Sequence, residues 1–233
     1  MPLTKAKGNM YDWCTHTHTH LGGVCSHKCK YCYVQAMERR FGGGRYTGEL
    51  CLIEKEFDIH YGKGRTIFIE HCNDLFAKAV PDEWIERILA HTCEWPDNEY
   101  VFQTKNPARM DLFRDKMPPR RLLGVTIETA DADVAIMVSK APTPYDRYWE
   151  MKEMSNRKGE RTFVTVEPIL RGPAAALGGM IRDIAPEFVN IGADSKGTDL
   201  DEPTGEAVEK LIDTLRAYNV PIRKKVNLER LLA

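Results

Sequence analysis

The sequence has no apolar run approaching the roughly 18 residues that span a bilayer, and its start, MPLTKAKGNMYDW, lacks the apolar stretch of a secretion signal. It lacks a dominant charge as well. Lys and Arg number 33 against 34 Asp and Glu, a net charge of −1, so no global field steers a nucleic acid or an anionic membrane toward it, and a polyanion must be met by a local basic patch. An even disulfide framework is also missing: the seven cysteines are an odd number, all within the first 93 residues, in a chain of 233 that can bury a core unaided. These absences exclude a membrane-spanning protein and a disulfide scaffold, and they predict a cytoplasmic location. With 42% hydrophobic and 29% charged residues, the composition predicts one globular domain over 1–233 without internal repeats.

Short runs rich in β-branched and aromatic residues alternate with helical stretches, the pattern of parallel strands crossed over by helices. Six strands are predicted at Met10 to Thr15, Thr66 to His71, Tyr100 to Thr104, Leu122 to Glu128, Thr162 to Glu167 and Phe188 to Gly192. Helices are predicted at Tyr33 to Phe41, Asp82 to Trp95, Ala108 to Lys116, Tyr145 to Asn156, Ala174 to Ile184 and Gly205 to Asn219. Near-continuous apolar strands indicate burial on both faces. Six βα units are too few to close an eightfold barrel, so the predicted fold is α/β, a partial (β/α)6 TIM-like barrel, with the segment 220–233 adding an edge strand and a short last helix. The glycines Gly42, Gly43 and Gly44 read as a connector. Each strand ends in a polar residue, Glu70 or His71, Gln103 to Lys105, Glu128, Glu167 and Asp194, and in barrel folds this is the end where chemical groups gather.

The sharpest feature is Cys25-Ser-His-Lys-Cys29-Lys-Tyr-Cys32, a C-x3-C-x2-C triplet in a loop over 21–33. Structural zinc usually takes four ligands in paired C-x2-C units, whereas a 4Fe-4S cluster given three thiolates keeps one iron open. The remaining thiols, Cys14, Cys51, Cys72 and Cys93, read as buried packing residues.

The triplet with Tyr31 resembles the cluster motif of the radical S-adenosylmethionine superfamily. The order GVCSHKCKYCYVQAMERRF, RTIFIEHCNDLFAKAVPDEWIERIL, FQTKNPARM, LLGVTIET, FVTVEPIL, NIGADS and VPIRKK is similar to a phage-associated three-cysteine radical-SAM-like family. The resemblance implies a partial barrel, a 4Fe-4S cluster on Cys25, Cys29 and Cys32, and S-adenosyl-L-methionine chelated to the open iron. It also implies reductive cleavage to a 5'-deoxyadenosyl radical that abstracts hydrogen from an organic substrate, with isomerase or rearrangement chemistry and a hypermodified thymine nucleotide in phage DNA as the associated guess. The location would then be a host cytoplasm and the reductant a flavodoxin- or ferredoxin-type donor. Relatives often carry Arg where this chain has Asn106, and Gly-Gly-Glu where it has Gly192-Ala193-Asp194.

Cofactor-binding roles are expected for Tyr31, over the cluster or near adenine; for Asn73, toward the amino end of the cofactor; and for Lys105, toward its carboxylate. Thr126 and Glu128 lie two apart on one strand and share a face, which suits Glu128 to a ribose diol; Glu167 needs a partner because a buried lone carboxylate is costly. His16, His18, His71, Gln103, Asp194 and Ser195 are candidate substrate contacts. The run His16, His18, His20 alternates onto one side if extended, as divalent-metal ligands sometimes do, but reads mainly as a polar strand entering the loop. His27 and the basic group Arg223, Lys224, Lys225 read as solvated. Two alternatives stay open: a radical enzyme acting on a peptide or amino acid, and a non-catalytic zinc or iron-sulfur binding module.

Overall fold

The structure is a computed structural model and describes residues 3–8 and 10–233. In chain order the elements are β1 (Thr4–Lys5), β2 (His16–His18), β3 (Leu21–Gly22), α1 (Tyr33–Phe41), β4 (Cys51–Leu52), β5 (Thr66–Ile69) and α2 (Asp82–Cys93). They continue with β6 (Glu99–Thr104), α3 (Pro107–Leu112), β7 (Arg121–Thr126), α4 (Ala132–Val138), α5 (Pro144–Lys158), β8 (Thr162–Val166) and α6 (Ala174–Ile184), and end with β9 (Phe188–Ile191), α7 (Gly205–Ala217), β10 (Ile222–Lys224) and α8 (Glu229–Leu232). The main sheet runs β1-β2-β5-β6-β7-β8-β9-β10. Seven of its strands are parallel and β1 is antiparallel on the edge. Among the described residues β10 does not pair back to β1 or β2, so the fold is a partial, open TIM-like barrel with helices outside, one parallel strand longer than six because the 220–233 segment joins at β10.

Strand alternation sorts the side chains into two compartments. Ile67, Ile69, Tyr100, Phe102, Leu123, Val125, Val164, Val166, Val189 and Ile191 belong to the core shared with the helices, among them Ile85, Ile88 and Leu89 of α2. Phe68, Val101, Leu122, Phe163 and Phe188 form a second cluster with Tyr11 and Cys14, and Trp13 packs on it. Gly124 lies at this inner level: a Cβ there would stand 2.2 Å from the Phe163 ring.

The inner cluster explains why Met10 to Thr15 is not a strand. Its aromatic side chains are used as a plug, Tyr11 and Trp13 stacked at 5.0 Å between ring centroids and both edge-on to Phe163, and the backbone turns there, with Cys14 N donating to Tyr11 O. The first parallel strand is instead His16–His18, beside β5. The expected helix Ala108 to Lys116 is likewise broken, α3 ending at Leu112 and a 3-10 turn following at Arg114–Lys116. Gly42, with φ 63°, caps α1, so the glycine run ends a helix.

Candidate functional site

A cavity of about 540 Å³ opens at the C-terminal ends of the strands. Its lining includes Cys25, Cys29, Tyr31 and Cys32 from the loop, Glu70, His71, Cys72, Asn73 and Asp74 after β5, and Gln103, Thr104 and Lys105 at the end of β6. Thr126, Thr165, Glu167, Asp194, Ser195, Lys196 and Lys225 complete the circuit, with Lys5 and Lys7 from the N-terminal segment. Most of the polar strand ends read from the sequence therefore do meet in one place.

The loop is held by the fold at several points. Gly23 has φ 77°, and a Cβ on it would stand 2.0 Å from Glu49 O, so only glycine lets the chain pass beneath the 45–50 segment, where Gly23 N donates to Arg45 O and Val24 N to Gly48 O. Asn73 Nδ2 donates to Gly23 O at 3.3 Å. Lys30 N donates to Val138 O and Lys140 N to His27 O, fixing the loop to the end of α4. His27, expected in solvent, is buried, its Nε2 3.0 Å from Asp74 Oδ2. Asp74 also accepts from Thr104 Oγ1, Lys105 N and Phe76 N. Burial opposes its ionisation, but His27 and these donors outweigh it and hold the carboxyl below its usual range.

Cys25, Cys29 and Cys32 are free, partly buried thiols on this one cavity. Burial, then the Asp74 charge, pushes Cys25 up to about 12, and burial raises Cys32 as well. Among the described residues no three His, Cys, Asp or Glu groups converge on a single-ion site. The three free thiols line one cavity, and three soft sulfur donors on one wall are a donor set that fits an iron-sulfur cluster. Cys14 and Cys72 are buried as expected, but Cys51 and Cys93 are exposed.

Glu128 departs from its expected ribose role. Its Oε2 receives Arg147 Nη1 at 2.7 Å, its Oε1 receives the Tyr31 hydroxyl and stands 3.8 Å from Lys105 Nζ, and it does not line the cavity. Arg147, on α5 and almost wholly buried, also donates to Thr126 O and Pro142 O. Burial alone would raise Glu128, but Arg147 and Lys105 win and its carboxyl is held low. Lys105 is the reciprocal case: burial lowers it, yet the Cys29 sulfur and Glu128 keep it raised, with its ammonium 5.4 Å from the Tyr31 ring centroid. Glu128 therefore positions Tyr31 and Lys105 beside the thiols.

The cavity floor is a hydrogen-bonded layer above the inner aromatic cluster. Tyr11 Oη donates to Gln103 Oε1 and shares a bond with Thr165 Oγ1, both at 2.9 Å, while Gln103 Nε2 donates to Thr126 Oγ1. Gln103 and Thr126 thus serve the floor. Sequence reasoning missed Tyr11 because its partners lie 92 and 154 residues away. On the far side Lys225 Nζ stands 3.8 Å from Glu167 Oε2 and 4.8 Å from the Tyr11 ring centroid, so Lys225 is drawn into the cavity, whereas Arg223, stacked 3.5 Å over Phe188, and Lys224 stay exposed. Asp194 accepts from Lys196 N and Thr198 Oγ1; burial opposes its charge, but these bonds hold it low, and Ser195 and Lys196 are exposed beside it.

The histidine run separates from the cavity. His16 bonds Thr15 Oγ1, and neither it nor His18 lines the space; only Thr17 of β2 does, as alternation along the strand requires. His18 stacks on His20 at 4.3 Å in a buried group with Tyr61 and His91. Burial drives His18 down to about 2 and His20 to about 3. His71 does reach the cavity, with Nδ1 2.9 Å from Thr19 Oγ1 and Nε2 3.2 Å from Cys72 Sγ, and burial lowers it to about 4.

No helix among the described residues is long and apolar enough to cross a membrane. Solved structures share the fold. Spore photoproduct lyase complexed with dinucleoside spore photoproduct superposes with a TM-score of 0.61 at 12% identity, over 98% of this chain and 77% of that one. A spore photoproduct lyase mutant with bound AdoMet and dinucleoside spore photoproduct gives 0.60 at 11%, over 98% and 78%. Streptococcus suis SuiB bound to S-adenosylmethionine gives 0.55 at 10%, over 89% of this chain and 49% of SuiB, so the chain spans about half of that protein. At these identities the likeness is one of fold. No curated protein gives a significant match. Residues 9–176 match the family described as "Protein of unknown function (DUF5131)", and the chain belongs to that family.

Proposed function

We propose that this chain is an S-adenosylmethionine-dependent radical enzyme whose 4Fe-4S cluster is held by Cys25, Cys29 and Cys32. The observation that carries the reading is the meeting of three free thiols, spaced C-x3-C-x2-C, on one cavity at the C-terminal mouth of a partial barrel. Solved proteins of this fold bind AdoMet, which adds support. When bound, such a cluster supplies one electron that splits a carbon-sulfur bond of the sulfonium, yielding methionine and a 5'-deoxyadenosyl radical that takes hydrogen from a substrate.

The chain's own part is binding and exclusion of water. Lys105, kept charged beside the thiols, is suited to a cofactor carboxylate, and Asn73, on the same wall, to its amino end. Tyr31, fixed by Glu128, offers an aromatic edge beside them. The Tyr11, Gln103 and Thr165 floor closes the barrel interior below the reacting space.

For the substrate we favour a nucleotide-type anion. Lys5, Lys7 and Lys196 are exposed residues of the cavity lining, on segments other than the thiol loop, and would meet phosphate without setting sequence preference. A modified thymine nucleotide is the finer form of that reading, and a structural neighbour was solved with a dinucleoside spore photoproduct.

Anaerobic reconstitution tests the proposal. The wild type is expected to take up four irons and four sulfides per chain, as the cluster formula requires, and to release 5'-deoxyadenosine with dithionite, while Cys29→Ala does neither. A colourless wild type holding only zinc would overturn it. Charge reversal of Lys5, Lys7 and Lys196 should weaken oligonucleotide binding and flatten its salt dependence.

A further inference from the structure

A second cleft lies on the outer side of the thiol loop, lined by Ser26, His27, Lys78, Asn106, Lys140 and Pro142 among others. His27 borders both this cleft and the main cavity, so the loop carrying the thiols is the partition between them. The two backbone bonds from Lys30 to Val138 and from Lys140 to His27 lay the end of α4 alongside the loop.

The charge of this face differs from that of the whole chain. Residues 23–32, 75–80 and 134–145 contribute Lys28, Lys30, Lys78 and Lys140, all exposed, and contain no Asp or Glu. Most of the carboxylates bracketing these stretches are occupied: Asp74 with His27, Asp82 with Arg109, Asp131 in capping α4 and Asp146 in the capping box of α5. Asp133, on the first turn of α4, is the exposed exception. Next to Val138, Ile136 and Met137 are 58% and 69% exposed. Apolar side chains beside a one-signed rim form a protein-docking pattern, and the apolar pair argues against a phosphate backbone as occupant.

We propose that this face docks an acidic electron-transfer protein of the flavodoxin or ferredoxin class and that its electron enters through the thiol loop. The inference rests on the reading of the thiol cavity given above, which consumes one electron per sulfonium cleaved. In the transfer itself the donor's flavin or iron-sulfur centre is oxidised by one electron and the cluster reduced by one; no bond forms or breaks.

The test uses the double charge reversal Lys78→Glu with Lys140→Glu, both exposed and outside the thiol cavity. Binding of oxidised flavodoxin to reconstituted and to metal-free protein is followed by surface plasmon resonance at several salt concentrations. We expect the association rate at low salt to fall about tenfold or more, and its salt dependence to flatten. Flavodoxin-driven release of 5'-deoxyadenosine should fall in parallel, while dithionite-driven release stays at the wild-type value. Unchanged flavodoxin binding by the variant would overturn the proposal, as would binding of duplex DNA to the same lysines in place of flavodoxin. A wild type that binds flavodoxin at this face yet releases no 5'-deoxyadenosine with dithionite would count against the cofactor reading and leave the docking face standing.

Discussion

Hydrogen-bond accounting places a proton on a buried pair beside the cavity. His91 Nε2 lies 3.1 Å from the carbonyl Ile59 O, which only accepts, so that nitrogen carries the hydrogen and the neutral ring leaves Nδ1 as acceptor. His20 Nε2, 2.9 Å from His91 Nδ1, must then donate. A neutral His20 has its lone pair on Nδ1, facing Glu70 Oε1 at 2.9 Å, so either Glu70 is a carboxylic acid or His20 is a cation. Burial decides for the acid, raising Glu70 from 4.5 to about 7 while lowering His20. The charged neighbours are largely neutralised, Arg45 with Glu56 and Arg87 with Glu54, and His18 and Tyr61 are buried against His20.

The consequence is a pH-dependent stability of defined sign. Below about 4.5 Glu70 is protonated folded or unfolded, and its contribution is whole; between 4.5 and 7 the unfolded chain ionises while the folded one holds the proton, so stability is lost as pH rises. At about 1.4 kcal/mol per pH unit the loss totals roughly 3 kcal/mol and is complete above about 7. Glu70→Gln cannot ionise; its amide N–H can donate to His20 Nδ1 but cannot accept from His20 N as Oε1 does, a cost that does not vary with pH. Urea unfolding of both proteins from pH 4.5 to 7.5 gives the difference, since the slope of opposite sign from His18, His20 and His71 is largely common to both while Glu70 holds its proton. The wild type should lose about 3 kcal/mol relative to the variant over that range. A flat or rising difference would refute the protonated acid, as would the absence at pH 6 of a protonated-carboxyl infrared band that Glu70→Gln removes.

Other consequences are testable on the same preparations. Arg147→Met leaves buried Glu128 with Lys105, at 3.8 Å, as its remaining cation and should cost about 3 kcal/mol in urea unfolding, while adding Glu128→Met should recover only part of that loss, because Lys105 and the Tyr31 hydroxyl then lose their acceptor. Gly23→Ala, strained by both its φ and the Glu49 carbonyl, should cost about 2 kcal/mol or more and speed the reaction of Cys25 with a thiol reagent, and unchanged reactivity would show that the loop is not held there. Tyr11→Phe keeps the plug but removes the hydroxyl shared by Gln103 and Thr165, with an expected loss of about 1 to 2 kcal/mol by the same measurement.

The sequence was most legible where one element carries its own signal. Tyr33–Phe41 and Ala174–Ile184 have the predicted bounds, and the five strands from β5 to β9 lie within a residue or two of their apolar runs. β1, β3 and β4 have two residues each, too few to alternate, and ADVAIMV of α4 is short and nearly all apolar, so it shows neither period. Aromatic residues at 11 and 13 look like a strand because a plug and a strand bury the same side chains. The site was readable in its thiols and strand ends but not in its pairings. Nothing local says that His27 meets a carboxylate 47 residues on, or that Glu128 is spent on an arginine of α5.

Those pairings bear on how the thiols reach their places. In a small metal-nucleated loop the ion supplies the folding energy, and without it the ligands wander. Here the loop is tied at Gly23 by Asn73, at His27 by Asp74 and Lys140, and at Lys30 by Val138, and the anchoring groups follow β5 or lie at the end of α4. Asp74 is itself fixed by Thr104 and Lys105 at the end of β6. The barrel thus sets the positions of Cys25, Cys29 and Cys32 before any ligand arrives, and the buried charges around Glu128 hold Lys105 and Tyr31 against them. Buried polar groups are costly unless every member is paired, and the pairs on this wall use the mouth's side chains for positioning. A ligand entering the cavity therefore finds its polar partners already oriented, and less of its binding energy goes to ordering the protein.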